Sequence, residues 1–305
     1  MTSATLSDYV LKGLRRRKIV DALARGLLVG CAVLALVPLF SVLAYVVSKG
    51  FPSLNVAFFT QLPKPPIGDA VGGMASALVG TTVLVLLGSA IGVTWGIVTG
   101  LFLSEYGHGR LAGWVRFGCD LLASVPSIVV GLFVYTMVVV PMGSPSAIAG
   151  SIALSILMIP IVARSTEELL RLVPQHIREA GLALGLPRWK VTLFIVLRGS
   201  RSAIVTGVML AVARIAGETA PLLFAAGSNS FWPLRLDEPI GSLPTQIYQY
   251  AVSPFDRWHA QAWTGALVLV LFVFVLNIGS RFLLSLEAGA WKRFATSLAP
   301  KGFKR

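Results

Sequence analysis

Acidic side chains are scarce in this chain: 13 aspartates and glutamates stand against 26 lysines and arginines, and charged residues of all types make up only 13% of 305. An average soluble protein carries about 25% charged residues, so a wholly water-facing globular surface is excluded. Cysteine is scarcer still. Cys31 and Cys119 lie in or at the end of apolar runs and define neither a disulfide framework nor a metal site. His108, His176 and His259 stand far apart, each in a predicted loop, and offer no proton relay. No GxxxxGKS or GxxxxGKT stretch is present, which argues against ATP hydrolysis on this chain. The carboxylates are scattered too, whereas a membrane-embedded enzyme acting on lipid phosphates needs them paired for metal or needs a histidine beside a nucleophile.

Apolar residues are abundant, at 55% of the chain. Crossing a ~30 Å hydrocarbon core takes ~20 of them in a run. Six runs qualify, at about 26–47, 75–103, 113–140, 147–170, 200–226 and 262–285. The expected architecture is therefore an all-α membrane protein with six transmembrane helices. The net charge of +13 does not call for nucleic acid, because its distribution follows the positive-inside rule. With both termini cytoplasmic, only Lys49, Lys64, Arg235 and Arg257 of the 26 basic residues fall outside, and Arg214 falls within a span. The basic stretch "LRRRKIV" at 14–20 reads as a retained topological anchor, with residues 6–18 forming a short helix along the membrane surface. Two external stretches are long, 48–73 and 228–260. Both read as ordered caps over the spans or as a docking surface for an external partner.

Two features go beyond plain spans. In "ARIAGETAPLLFAAG" (213–227), Arg214 and Glu218 sit four residues apart inside a span. One charge at mid-bilayer costs ~2.5–3.5 kcal/mol on insertion scales, so each needs a partner. Helical spacing lets them pair directly, ~20 Å into the span counted from Arg201 at ~1.5 Å per residue. The pair either lines a pathway or serves as packing glue. Thr219 and Pro221 kink this span, as Pro126 bends the third. Asp120 is expected to pair with Arg116, four residues earlier. The second feature is the loop from Arg164 to Arg201. Glu167, Glu168 and Arg171 carry span four past the membrane, and Pro174 starts a short helix with Arg178 on its polar face. Gly185 and Pro187 end it.

"EAGLALGLPRWKVTLFIVL" (179–197) resembles the EAA loop of ABC-transporter permeases: Glu-Ala-Ala, three residues, Gly, nine residues, then Ile-x-Leu-Pro. Glu179, Ala180, Gly185, Ile195 and Leu197 match, while Gly181 replaces the second alanine and Arg198 the proline. "VPSIVVGLFVY" (125–135) and "GETAPLLF" narrow the likeness to the PstA-type permeases of phosphate-specific ABC importers. The resemblance covers about 72–285 and implies a type I ABC importer permease domain there. It follows a basic tail over 1–25 and a first span and loop over 26–71, and precedes a basic tail over 286–305.

The resemblance further implies a bacterial cytoplasmic membrane protein that binds no cofactor itself. The helix at about 174–187, through Glu179, Ala180, Gly181 and Gly185, would dock on a partner subunit that hydrolyses ATP with Mg2+. The other implied partners are a second permease subunit, a second copy of the ATP-binding subunit and an external phosphate-binding protein. Arg214, Glu218 and Arg164 would line the phosphate pathway. Other oxyanions, such as phosphonate or sulfate, stay open, because arginine alone cannot choose among tetrahedral anions.

Overall fold

Long apolar runs in which every backbone group must be satisfied internally leave helix as the available spanning structure, and all regular elements among the described residues are helical. The computed structural model describes residues 3–65, 72–232 and 235–298, with side chains for 17–65, 72–232, 235–279 and 282. The basic tail over 286–305 therefore lies outside the described side chains.

Helix α1 spans Ser3–Gly50 without a break, so residues 6–18 form part of it. After a 3-10 turn at Phe51–Ser53 comes α2 (Val56–Thr60), capped by Asn55 Oδ1 accepting from Phe58 N at 2.9 Å. Helix α3 (Ala75–Leu101) continues through a π turn at Phe102–Tyr106. Next come α4 (Arg110–Ser124) and α5 (Ser127–Val134), the latter extended by a π turn at Tyr135–Val139 into α6 (Val140–Met142). Helix α7 (Ala147–Arg171) precedes α8 (Gln175–Ala183) and α9 (Arg188–Lys190), which runs into a π segment at Val191–Leu197. The chain ends with α10 (Arg201–Ala216), α11 (Ala220–Ala225), α12 (Leu243–Ala251) and α13 (Asp256–Leu298).

Four of these helices are long and apolar enough to cross a membrane, and two bent pairs bring the number up to six. In one pair α4 meets α5–α6 at 101°, across Val125 and Pro126. Proline has no N–H to donate and disfavours helical geometry in the residue before it, so the break falls where the sequence puts "SVPS". In the other, Arg188–Leu197 meets α10 at 72°. The expected fifth apolar run at about 200–226 is thus preceded by a helical stretch set at a sharp angle to it.

The core is built on α3 and α7. Gly88, Gly92, Gly96 and Gly100 form a stripe at four-residue spacing. A Cβ on each would fall 3.1, 2.8, 2.6 and 2.6 Å from Leu154, Met158, an atom of Val162 and atoms of α7 around Thr166 respectively. Such a stripe of small residues lets two helices approach closely where lipid gives no hydrophobic drive for association. Met158, Val162, Ile204, Val208 and Ile215 fill the space between α3, α7 and α10.

The two long stretches are ordered caps at the opposite end from α8. Ser242 opens α12 with a capping box to Thr245, and Thr81 Oγ1 accepts from Leu243 N at 2.7 Å. Phe58, Met74, Leu243 and Tyr250 share one cluster there. Residues 66–71 and 233–234 of these stretches lie outside the described residues. Helix α1 meets this end only through its last turns, where Tyr45 contacts Trp263 edge-on at 5.0 Å and Gly50 abuts Trp263 and Leu267.

Candidate functional site

The Arg214–Glu218 pair sits at a helix break. Helix α10 stops at Ala216, Gly217 caps it by donating to Arg214 O, and α11 resumes at Ala220. Arg214 thus occupies the last turn of α10, where a cation complements the helix dipole, and Glu218 lies just beyond. Their closest approach is 3.8 Å between Nε and Oε1, a loose ion pair. Glu218 is largely covered, whereas the Arg214 side chain keeps 62% of its surface exposed in this single chain. The fork is therefore open to a further acceptor.

A second break lies close by. Gly131 of α5 packs so tightly on Pro221 of α11 that a Cβ would fall 2.6 Å from Pro221 Cα. Pro126 and Thr219 stand at the N-caps of these two short helices, so the first turns of α5 and α11 each follow a break in the chain. Irregular backbone at membrane depth is tolerated where it is buried in protein or lines a water-filled cavity.

Arg164 does not join Arg214. Its Nε and second Nη donate to Asp120 at 2.8 and 2.6 Å, and the other Nη reaches Glu167 at 3.2 Å. Asp120 therefore pairs with Arg164, and the expected local pair with Arg116 does not form. Arg116 crosses to Glu167 at 2.7 Å and also caps the carbonyls of Leu103 and Gly107 at 2.9 and 3.3 Å. Arg171 reaches the same carboxylate at 2.6 Å. Glu167, 1% exposed, is thus the hub for three arginines. The i,i+4 spacing of Arg116 and Asp120 was a true signal for a shared face, but α7 presents charges of both signs to that face.

At the same end, Pro174 precedes α8, and Gly185 closes the turn after it with φ +79°, a left-handed backbone that favours glycine. Gly181 packs against Val191 and Ile195. Glu179 and Ala180 are exposed beside it. Arg178, expected on the polar outer face, turns inward instead. Its Nε and Nη bind both oxygens of Glu105 at 2.6–3.1 Å, and its Nη atoms donate to Val173 O and Leu170 O at 2.6 and 2.8 Å. His176 and His259 lie in first turns of α8 and α13 and not in loops; only His108 does. Among the described residues no group of three His, Cys, Asp or Glu could hold a metal ion. At the α12 end, the Arg235 fork donates to exposed Asp237 at 3.0 and 2.6 Å and holds that carboxyl below its ordinary range. Burial pushes the Tyr250 phenol upward.

Apolar helices with two breaks packed together, an arginine at one of them and an amphipathic helix held at one end define a membrane transport component. The chain belongs to the family of binding-protein-dependent transport system inner membrane components, whose model matches residues 92–286. The phosphate transport system permease protein PstA of Yersinia pestis is 46% identical over 279 residues, 91% of this chain and 94% of that protein. PstA of Haemophilus influenzae is 46% identical over 266 residues, 87% of this chain and 94% of that one. PstA 1 of Mycobacterium tuberculosis is 36% identical over 271 residues, 87% and 88% of the respective chains. The inward-facing MetNI methionine ABC transporter shares the fold with a TM-score of 0.56 at 19% identity, covering 69% of this chain and 92% of that one. The fold is that of the type I ABC importer permeases, in a multi-pass membrane protein.

Proposed function

We propose that this chain is the transmembrane permease subunit of an ATP-driven importer of inorganic phosphate in the bacterial cytoplasmic membrane. The identity of 46% to a phosphate transport permease, over 91% of this chain, is the observation that carries the cargo. The chain forms half of the translocation pathway, and a second permease subunit supplies the other half. Two copies of an ATP-binding subunit, holding nucleotide and Mg2+, drive the cycle, and an external phosphate-binding protein delivers the anion. Both termini lie in the cytoplasm, in keeping with the distribution of basic residues.

Within this reading the break between α10 and α11 lines the pathway. Arg214 offers the anion a permanently charged fork, and Glu218, held at 3.8 Å, orients it and weakens its grip. Conduction needs binding weak enough for release, which a competing carboxylate provides. Arg164 marks the cytoplasmic end of the route, where an anion would have to displace Asp120 from its fork. The surface around exposed Glu179 and Ala180 of α8 and Gly185 of the turn after it receives the ATP-binding subunit, with Gly181 letting the helix lie flat on Val191 and Ile195.

The test is uptake of labelled phosphate in cells carrying Arg214→Gln in place of the native chain. Sulfate uptake is followed alongside, and assembled complex is quantified from the same membranes. The expected result is phosphate uptake lowered by roughly tenfold or more at unchanged assembly, as befits removal of a charged contact. Near-native uptake would reduce the pair to packing. Sulfate carried as well as phosphate by the native complex would replace phosphate with a broader oxyanion cargo.

A further inference from the structure

The geometry points to Arg178 and Glu105 as positioning residues that fix α8 to the α3–α4 turn and carry its displacement into α4, the first half of a broken span. This rests on the reading of α8 as the docking helix for an ATP-binding subunit.

Arg178 and Glu105 are separated by 73 residues, yet they meet in a fork-to-fork pair with 15% and 9% of their side chains exposed. The remaining donors of Arg178 satisfy Leu170 O and Val173 O at the end of α7. One guanidinium therefore ties together α8, the C-terminal turn of α7 and the π turn that ends α3. Such a bidentate, charge-assisted contact is directional, and lysine cannot reproduce it.

From that π turn the linkage continues. Glu105 lies two residues from Leu103 and two from Gly107, whose carbonyls both accept from Arg116 of α4. Arg116 is in turn held by Glu167. A push on α8 thus reaches α4 through the Arg178–Glu105 pair, two residues of backbone and the Arg116 hydrogen bonds, and α4 ends at Val125–Pro126 where α5 begins. By contrast, the packing of Gly181 against Val191 and Ile195 leads toward α10 and away from α4. The second, polar route is what makes both broken segments respond to one helix.

The experiment uses the assembled complex in liposomes and reads phosphate moved per ATP hydrolysed. Glu105→Gln and Arg178→Gln are each expected to lower that ratio by roughly tenfold with the ATP-binding subunit still attached. The double variant should be no worse than Arg178→Gln alone, because both changes break one linkage. Losses that multiply, or a native ratio in either single variant, overturn the proposal. If a neutral variant fails to assemble, Arg178→Lys keeps the charge and loses the fork. It should lower the ratio too, and a native ratio there is equally fatal.

A cargo-independent arm separates this proposal from the phosphate reading. Spin labels at Leu111 of α4 and His176 of α8 are introduced into a chain with Cys31 and Cys119 changed to alanine. The native pair should keep one narrow distance with and without ATP, and Glu105→Gln should broaden it on ATP addition. Identical distributions in both proteins overturn the clamp. If the native complex carries no phosphate, the cargo assignment fails while the distances still judge the clamp.

Discussion

At the scale of single residues, Glu167 is a tightly held buried charge. Its carboxylate is buried and accepts from Arg116, Arg164 and Arg171 at 2.7, 3.2 and 2.6 Å. Removing it takes from these three cations their shared partner, while Arg164 keeps Asp120. Breaking a buried pair by deleting one partner typically costs about 3–5 kcal/mol. Glu167→Ala should therefore lower the denaturation temperature of the purified complex markedly. Arg25→Ala, which removes the exposed pair with Asp21, should change stability by less than about 0.5 kcal/mol. Equal shifts in the two variants would show that the hub does not stabilise the fold.

The same residues show what the sequence could reveal. It marked Glu167 and Arg171 as a helical continuation of span four, and the structure runs α7 to Arg171 as expected. It could not supply the long-range partners. Local spacing proposes Arg116–Asp120, but a charge on a helix face goes to whichever opposite charge the neighbouring helix presents, and that depends on packing register. Arg178 was hidden for the same reason, since Glu105 lies 73 residues away.

At the scale of elements, α8 and its closing turn were legible because they rest on local backbone rules: a proline before the helix and a glycine after it. These rules give a contrast between two glycines. Gly181→Ala would place its Cβ 2.9 Å from Ile195 Cδ1 and 3.0 Å from Val191 Cγ2, both ends of side chains that can turn aside. Gly185→Ala meets no neighbour, yet must hold φ +79°, which costs about 1–2 kcal/mol for a residue with a Cβ. The expected outcome is near-native uptake for Gly181→Ala. Gly185→Ala should show reduced recovery of the ATP-binding subunit with the purified chain. The opposite order would mean that packing, and not turn geometry, governs α8. The glycine stripe of α3 was not read from the sequence, because its meaning depends on α7, whose approach emerges only from the tertiary arrangement.

At the scale of the whole molecule, composition foretold six apolar segments, but a run such as 113–140 does not say whether it crosses or turns back. A bend of 101° fits either. The contacts at its two ends decide. Helix α4 begins beside the α3 turn that Arg178 grips, since Arg116 caps Leu103 and Gly107. After α6, by contrast, Ser146, Ala147 and Ile148 donate to Ala225, Glu238 and Leu236, in and beside the stretch that leads to α12. Helix α7 then returns from that end to α8. The α4–α6 segment thus runs from the α8 end of the bundle to the α12 end, the course expected of a broken span. Single cysteines at His108 and Met142, in a chain with Cys31 and Cys119 changed to alanine, should therefore differ in labelling by a membrane-impermeant maleimide. Met142→Cys, at an exposed position on the α12 side, should react in intact cells, and His108→Cys only after the membrane is permeabilised. Reaction of both from one side would make the segment re-entrant and place the α12 cap and α8 on the same face of the membrane. An external binding protein and an ATP-binding subunit could not then act on opposite ends of this chain.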